Sequence, residues 1–179
     1  MCIMPSLHND QSSDEGQMTI DKAAVHRALV ERMEAELAAL TSSQMEAQSG
    51  AFHSDNKAES SKDTRSTEAS YLARGLAERV VAAQDALTRT RVMARRDFDD
   101  QTPIGLSALV HLEDDASRVR LCFLAPVGGG VKLQVDDHTI AILTPGSPLG
   151  EELLGKEEGD EVEFQTPQGI RTWSIEAVW

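Results

Sequence analysis

Ser147-Pro148-Leu149-Gly150-Glu151-Glu152-Leu153-Leu154-Gly155-Lys156 is the stretch that decides how the second half of the chain is read. Ser147 suits a helix N-cap, and Pro148 suits the first helical position, where a backbone N–H has no partner to lose. Glu151 and Glu152 sit in the first turn, where a carboxylate faces the positive end of the helix dipole. Gly155 follows as a stop. The pattern predicts a short helix over 148–154, with Leu149, Leu153 and Leu154 buried beneath it.

On either side the chain alternates in the strand period. Leu106, Ala108, Val110 and Leu112 form one row, ended by Glu113-Asp114-Asp115. Arg118 to Leu124 follows, then the turn Gly128-Gly129-Gly130. Val131, Leu133 and Val135 alternate, Asp136-Asp137 turns, and Ile140 and Ile142 continue. Val162 and Phe164 precede the turn Pro167-Gln168-Gly169, and Trp173, Ile175, Ala177 and Trp179 close the chain. These rows predict a small antiparallel sheet under one short helix, so residues 101–179 form an α+β domain.

Towards the N-terminus the character changes. Residues 1–100 hold three glycines and a single proline, Pro5, against nine and five in residues 101–179. Val25, Leu29, Met33, Leu37 and Leu40 recur at helical spacing within 19–48. Leu72, Leu76, Val80, Ala83 and Leu87 do so in a second helix from about Asp63 to Met93. Thr19 is the expected cap of the first helix, with Asp21 in its first turn, and Ser49-Gly50 opens a polar break that runs to residue 61. One-sided helices need a partner. Two such stripes joined by a short polar turn predict an antiparallel helical hairpin of coiled-coil type over 19–97, roughly 42 Å long at 1.5 Å per residue. Residues 1–18 are polar and acidic and are expected to be a disordered tail.

Composition narrows the function. The chain of 179 residues is 40% hydrophobic and 26% charged, with a net charge of −13. That charge argues against direct, non-specific nucleic-acid binding, which needs Lys and Arg to neutralise phosphates, and favours basic partners or bound cations. Cys2 and Cys122 make no disulfide framework, which points to a reducing, cytoplasmic protein, expected to be a monomer. No apolar run reaches the length of a membrane span. The histidines (8, 26, 53, 111 and 138) show no zinc spacing, and Gly128-Gly129-Gly130 lacks the Lys-Ser/Thr and helix of a phosphate loop. Asp55 and Glu59 lie four apart in the turn-around. On a helix both carboxylates would share a face and suit a hard cation such as Mg²⁺; the plain alternative is a solvated acidic loop.

The run from Ser147 to Lys156, then Gly159-Asp160-Glu161-Val162, then Thr166-Pro167-Gln168-Gly169, resembles the C-terminal domain of the GreA/GreB transcription elongation factors. The preceding hairpin has that family's domain order. The resemblance implies an FKBP-like C-terminal domain and a bacterial RNA polymerase partner, whose secondary channel the hairpin enters. It implies partner contacts at Ser147, Pro148, Leu149, Gly150 and Lys156. It implies tip carboxylates, here Asp55 and Glu59, that share Mg²⁺ with the polymerase so that the polymerase's own site cleaves backtracked RNA. The factor is then accessory rather than an enzyme, binds no cofactor alone, and meets nucleic acid only through the polymerase. The tip departs from the family: it reads Asp55-Asn56-Lys57-Ala58-Glu59, with Ala58 where the family has Glu. A one-residue shift turns a helical side chain by about 100°. A channel-binding regulator without cleavage activity, and a protein like the nucleoside diphosphate kinase regulators, are the alternatives. A prolyl isomerase is excluded by the lack of an aromatic-lined pocket motif.

Overall fold

The computed structural model describes residues 20–54, 62–166 and 169–179. Two long helices come first, α1 (Lys22–Ser54) and α2 (Lys62–Arg91). They run antiparallel. His26 Nε2–H donates to the Thr90 carbonyl at 2.8 Å, and the Arg91 guanidinium meets Glu34 at 2.5 Å. Asp21, rather than a first-turn residue, caps α1: its carboxylate accepts the Ala23 N–H at 2.8 Å and its carbonyl accepts from Val25. Thr19 lies outside the described residues. Helix α1 also continues through Ser49-Gly50, where a break is expected. A helical glycine costs only about 1 kcal/mol relative to alanine, and Ser49 Oγ–H donates back to the Glu46 carbonyl.

The expected apolar stripes bury at the base of the hairpin and not at its outer end. Val25, Leu29, Met33, Val80 and Leu87 are buried, whereas Leu72 is 60% exposed. The reason is layering. Near its base the helix pair has the sheet as a third layer, while farther out two helices have only each other. The outer seam is accordingly lined by Thr41, Gln44, Ala47, Ala73, Ala77 and, from the expected stripe, Leu76, all half-buried.

Six strands follow: β1 (Leu109–Asp114), β2 (Val119–Leu124), β3 (Lys132–Val135), β4 (His138–Leu143), β5 (Glu161–Thr166) and β6 (Gly169–Val178). A short helix, α3 (Pro148–Leu153), lies between β4 and β5. The spatial order is β3-β4-β2-β1-β6-β5. The domain is α+β as expected, but its sheet is mixed rather than wholly antiparallel. The β3–β4 hairpin folds back so that β4 lies parallel to β2, with Leu121 opposite Ile140 and Phe123 opposite Ile142. Strand β1 starts at Leu109, later than the alternation suggests, because Ser107 adopts φ 72° and ends extended backbone there.

Each face of the sheet carries its own core. Leu109, Leu121, Phe123, Leu133, Ile140 and Ile142 pack with Val25, Leu29, Met33 and Leu87 of the hairpin base. On the opposite face Val110, Leu112, Cys122, Leu124, Trp173, Ile175 and Val178 pack with Leu149 and Leu153 of α3. A bulge where β1 meets β6 changes the pattern: Leu112 pairs with Ile175, yet His111 pairs with Ala177. An extra residue flips the side chains beyond it. Val178 therefore joins the α3 face with Trp173 and Ile175, and Trp179 turns to the hairpin face, where its ring lies 6.4 Å from that of His111. The uniform row Trp173-Ile175-Ala177-Trp179 is thus corrected. The linker is pinned at Arg96 from two sides: Lys22 Nζ donates to the Arg96 carbonyl, and Ser107 Oγ accepts the Arg96 N–H at 2.8 Å.

Candidate partner-binding site

The segment 147–156 folds as its residues dictate. Ser147 is extended (φ −82°, ψ 147°), its Oγ accepts the Gly150 N–H at 3.2 Å, and its O–H donates to the Thr144 carbonyl at 2.7 Å. Pro148 opens the helix on the surface. Leu149 and Leu153 enter the core, while Leu154 is 38% exposed, contrary to the expectation that it buries. Leu154 is the C-cap, past the last turn that faces the sheet, and its N–H bonds the Gly150 carbonyl. A Cβ at Gly150 would lie 2.0 Å from the Thr144 carbonyl oxygen, so the site admits only glycine without moving backbone. Gly155 takes φ 78°, its N–H donates to Ile104, and the Lys156 carbonyl accepts from Ile104 in return.

These contacts divide the five residues marked for a partner. Leu149 and Gly150 are buried and shape the helix from within; Ser147 and Lys156 are half-buried and Pro148 is exposed. Beside Pro148 a groove of about 600 Å³ runs between α3 and the outer strands, lined by Pro148, Glu152, Glu163, Phe164, Gln165 and Ile170. The Arg120 guanidinium lies 5.9 Å from the centre of the Phe164 ring and backs it. Sequence alone places Phe164 in a strand and does not single out Ile170. The available signal is an isoleucine just after a turn, which the structure leaves 66% exposed.

Asp55 and Glu59 lie outside the described residues, as do the side chains of Asp63 and Arg65; Glu68 is exposed. Among the described residues no group of three His, Cys, Asp or Glu is arranged to hold a metal ion. Cys122 is fully buried, and burial pushes its thiol up to about 11, so it is inert rather than nucleophilic.

The strongest electrostatic feature ties the sheet together. Asp114, at the end of β1, accepts the Arg118 guanidinium (Nε at 2.8 Å), the N–H groups of Ala116 and Arg118, and Arg171 of β6 at 3.6 Å. The Arg118 hydrogen bond, ahead of the backbone bonds, holds its pKa down at about 2.

The structure thus combines a hairpin of two long helices with a six-stranded sheet on which its base packs. Residues 135–179 match the family described as "Transcription elongation factor, GreA/GreB, C-term". The chain is 30% identical over 105 residues to the transcription elongation factor GreA of Polaromonas naphthalenivorans (strain CJ2), covering 56% of this chain and 60% of that protein. It is 32% identical over 106 residues to GreA of Sulfurovum sp. (strain NBC37-1), covering 58% and 61%. It is 31% identical over 100 residues to the transcription inhibitor protein Gfh1 of Thermus thermophilus, covering 56% and 60%. The solved "Structure of the transcription factor Gfh1" aligns with a TM-score of 0.38 and 23% identity over 84% of this chain and 93% of that chain. The GreA/GreB family match is confined to the C-terminal residues 135–179, and the chain spans about 60% of the length of the curated relatives it matches. No helix among the described residues is long and apolar enough to cross a membrane.

Proposed function

We propose that the chain is a monomeric elongation factor that binds bacterial RNA polymerase, places its hairpin in the secondary channel and promotes cleavage of backtracked transcripts. One observation carries this reading: a hairpin whose first helix alone extends about 50 Å stands on a domain whose residues 135–179 match the GreA/GreB C-terminal family. Such a lever carries the far ends of its two helices well away from the docking domain. In this reading Asp55 and Glu59 are the carboxylates delivered there, lending oxygens to Mg²⁺ held by the polymerase. Hydrolysis belongs to the polymerase, and the chain is accessory. Ser147, Pro148 and Lys156 offer the docking surface that Leu149 and Gly150 support from below.

A second reading, a channel binder that inhibits without cleavage, is favoured by Ala58 at the position where the family has Glu, and by the similarity to a transcription inhibitor. The test is a transcript-cleavage assay on a stalled, backtracked elongation complex. Asp55→Ala and Glu59→Ala are expected to abolish cleavage while polymerase binding persists. An unmutated chain that binds the polymerase and leaves the RNA uncut would establish the inhibitor reading.

A further inference from the structure

We propose that the apolar groove at the base of the hairpin is a docking site for this chain's own N-terminal segment, Ile3 to Glu15. The inference stands apart from the polymerase reading. The groove, of about 500 Å³, lies where α2 gives way to the linker. Val92, Met93, Leu106 and Pro126 line it, and Arg89 and Arg96 form its rim. Val92 is 74% exposed and Leu106 38%, so the floor presents aliphatic surface to water, and covering it with another aliphatic segment is favourable. The Arg96 guanidinium lies 5.4 Å from the centre of the Phe98 ring, and that of Arg89 reaches the Pro126 carbonyl at 3.5 Å and Asp85 at 3.9 Å. Both arginines are exposed.

Charge and attachment select the occupant. In a chain of net charge −13, residues 89–96 hold four arginines and no acid. Residues 1–19 hold Asp10, Asp14 and Glu15 and no Lys or Arg, and they carry the aliphatic run Ile3-Met4-Pro5-Ser6-Leu7. The run suits the floor, and the acids suit the rim. The polarity that predicts disorder belongs to the residues after Leu7. Residues 1–19 lie outside the described residues, whereas their point of attachment is described. Ile20 is buried just before α1, and Lys22 Nζ donates to the carbonyl of Arg96, itself a residue of the rim. Residues 8–19 reach up to roughly 40 Å when extended, enough to return Leu7 to a groove beside their own anchor. A tethered segment meets its site at an effective concentration of about millimolar, so modest affinity suffices. A second copy of the chain is disfavoured by its net charge, and a nucleic acid would satisfy the arginines while leaving the floor bare.

Cys2 offers the handle for a test on the full chain. Cys122 is fully buried with its thiol pushed up to about 11, so a maleimide nitroxide attaches at Cys2. Paramagnetic broadening of backbone amides is then read in the ¹⁵N-labelled chain, with the nitroxide oxidised and then reduced. The amides of Val92, Met93, Leu106 and Val127 are expected to lose most of their intensity, while that of Ala73, roughly 28 Å up α2 from Val92, keeps it. Val92→Glu and Leu7→Asp each place a charge in the apolar contact, one in the groove and one in the segment. Each is expected to restore the groove signals, and added salt to restore them in part. Both substitutions fall outside the core, and unchanged thermal unfolding checks that the fold is kept. Groove amides that stay sharp in the wild-type chain would overturn the inference and leave the groove to an acidic partner protein. Broadening that survives both substitutions would overturn it as well. Mixing spin-labelled ¹⁴N chain with unlabelled ¹⁵N chain separates the remaining source: equal broadening there would assign the groove to a second copy and overturn the inference, whereas sharp signals support it.

Discussion

The base of the hairpin and its outer half are built from the same two helices and are held by different forces. At the base, Leu29 is fully buried and packs with the buried Val25, Met33 and Leu87 among Phe123, Ile140 and Ile142 of the sheet. In the outer half Tyr71, Leu72 and Met45 are exposed, and the seam is only half-buried, with Leu40 and Leu76 among alanines, Thr41 and Gln44. An apolar residue at helical spacing is therefore worth as much as the third layer it meets. The same periodicity yields a core contact in one place and a bare surface in the other. Local stability should follow, with the outer helical turns opening far more readily than the base.

The largest expected effect sharpens this contrast directly. Leu29→Ala should cost about 2–5 kcal/mol in urea unfolding, by lost transfer energy and the cavity left behind, while Leu72→Ala should stay within about 0.5 kcal/mol. Equal losses would break the comparison.

A second test sets the sheet against the hairpin by pH. Asp114 is ionised and paired when folded, with its pKa lowered to about 2 against about 3.9 in an unfolded chain. Its contribution is fully present above pH 4 and is lost as pH falls through 2, because the unfolded chain takes up the proton first. Asp21 is lowered in the same sense by the Ala23 N–H it accepts at the start of α1. Acid titration followed by hydrogen exchange should therefore loosen the β1–β2 turn and the α1 start together. Asp114→Asn should flatten the dependence at the turn alone.

The smallest effect lies in the outer half. Gly75 sits within α2 and a Cβ there meets nothing within 4 Å. Gly75→Ala should stabilise by about 0.4–1 kcal/mol and slow amide exchange in the neighbouring turns of α2. Unchanged exchange there would mean that packing, not backbone freedom, limits the outer hairpin.

What was legible in the sequence was local. Ser147 as cap, Pro148 at the first position and Gly155 past the end are read from neighbours in the chain, and the structure places each as the residue chemistry requires. The helical hairpin was legible from its 3.6-residue spacing. The parallel β2–β4 pair was not, because strand alternation carries no direction. The bulge beside His111 was also hidden, and with it the reversal of Val178 and Trp179, because one extra residue leaves a hydrophobic row looking intact. The groove at Ile170 escaped because its walls come from α3, β5 and β6, which only the fold brings together. Asp55 and Glu59 lie outside the described residues.

Gly128 carries a mechanical consequence. A Cβ there would fall 2.9 Å from the Met33 methyl carbon, so the turn after β2 seats directly against α1. The hairpin is thus a beam clamped at one end, with its fixed end set into the sheet's own core rather than jointed to it. A load applied at the free end arrives in the sheet as torque, and the two domains respond to it as one body.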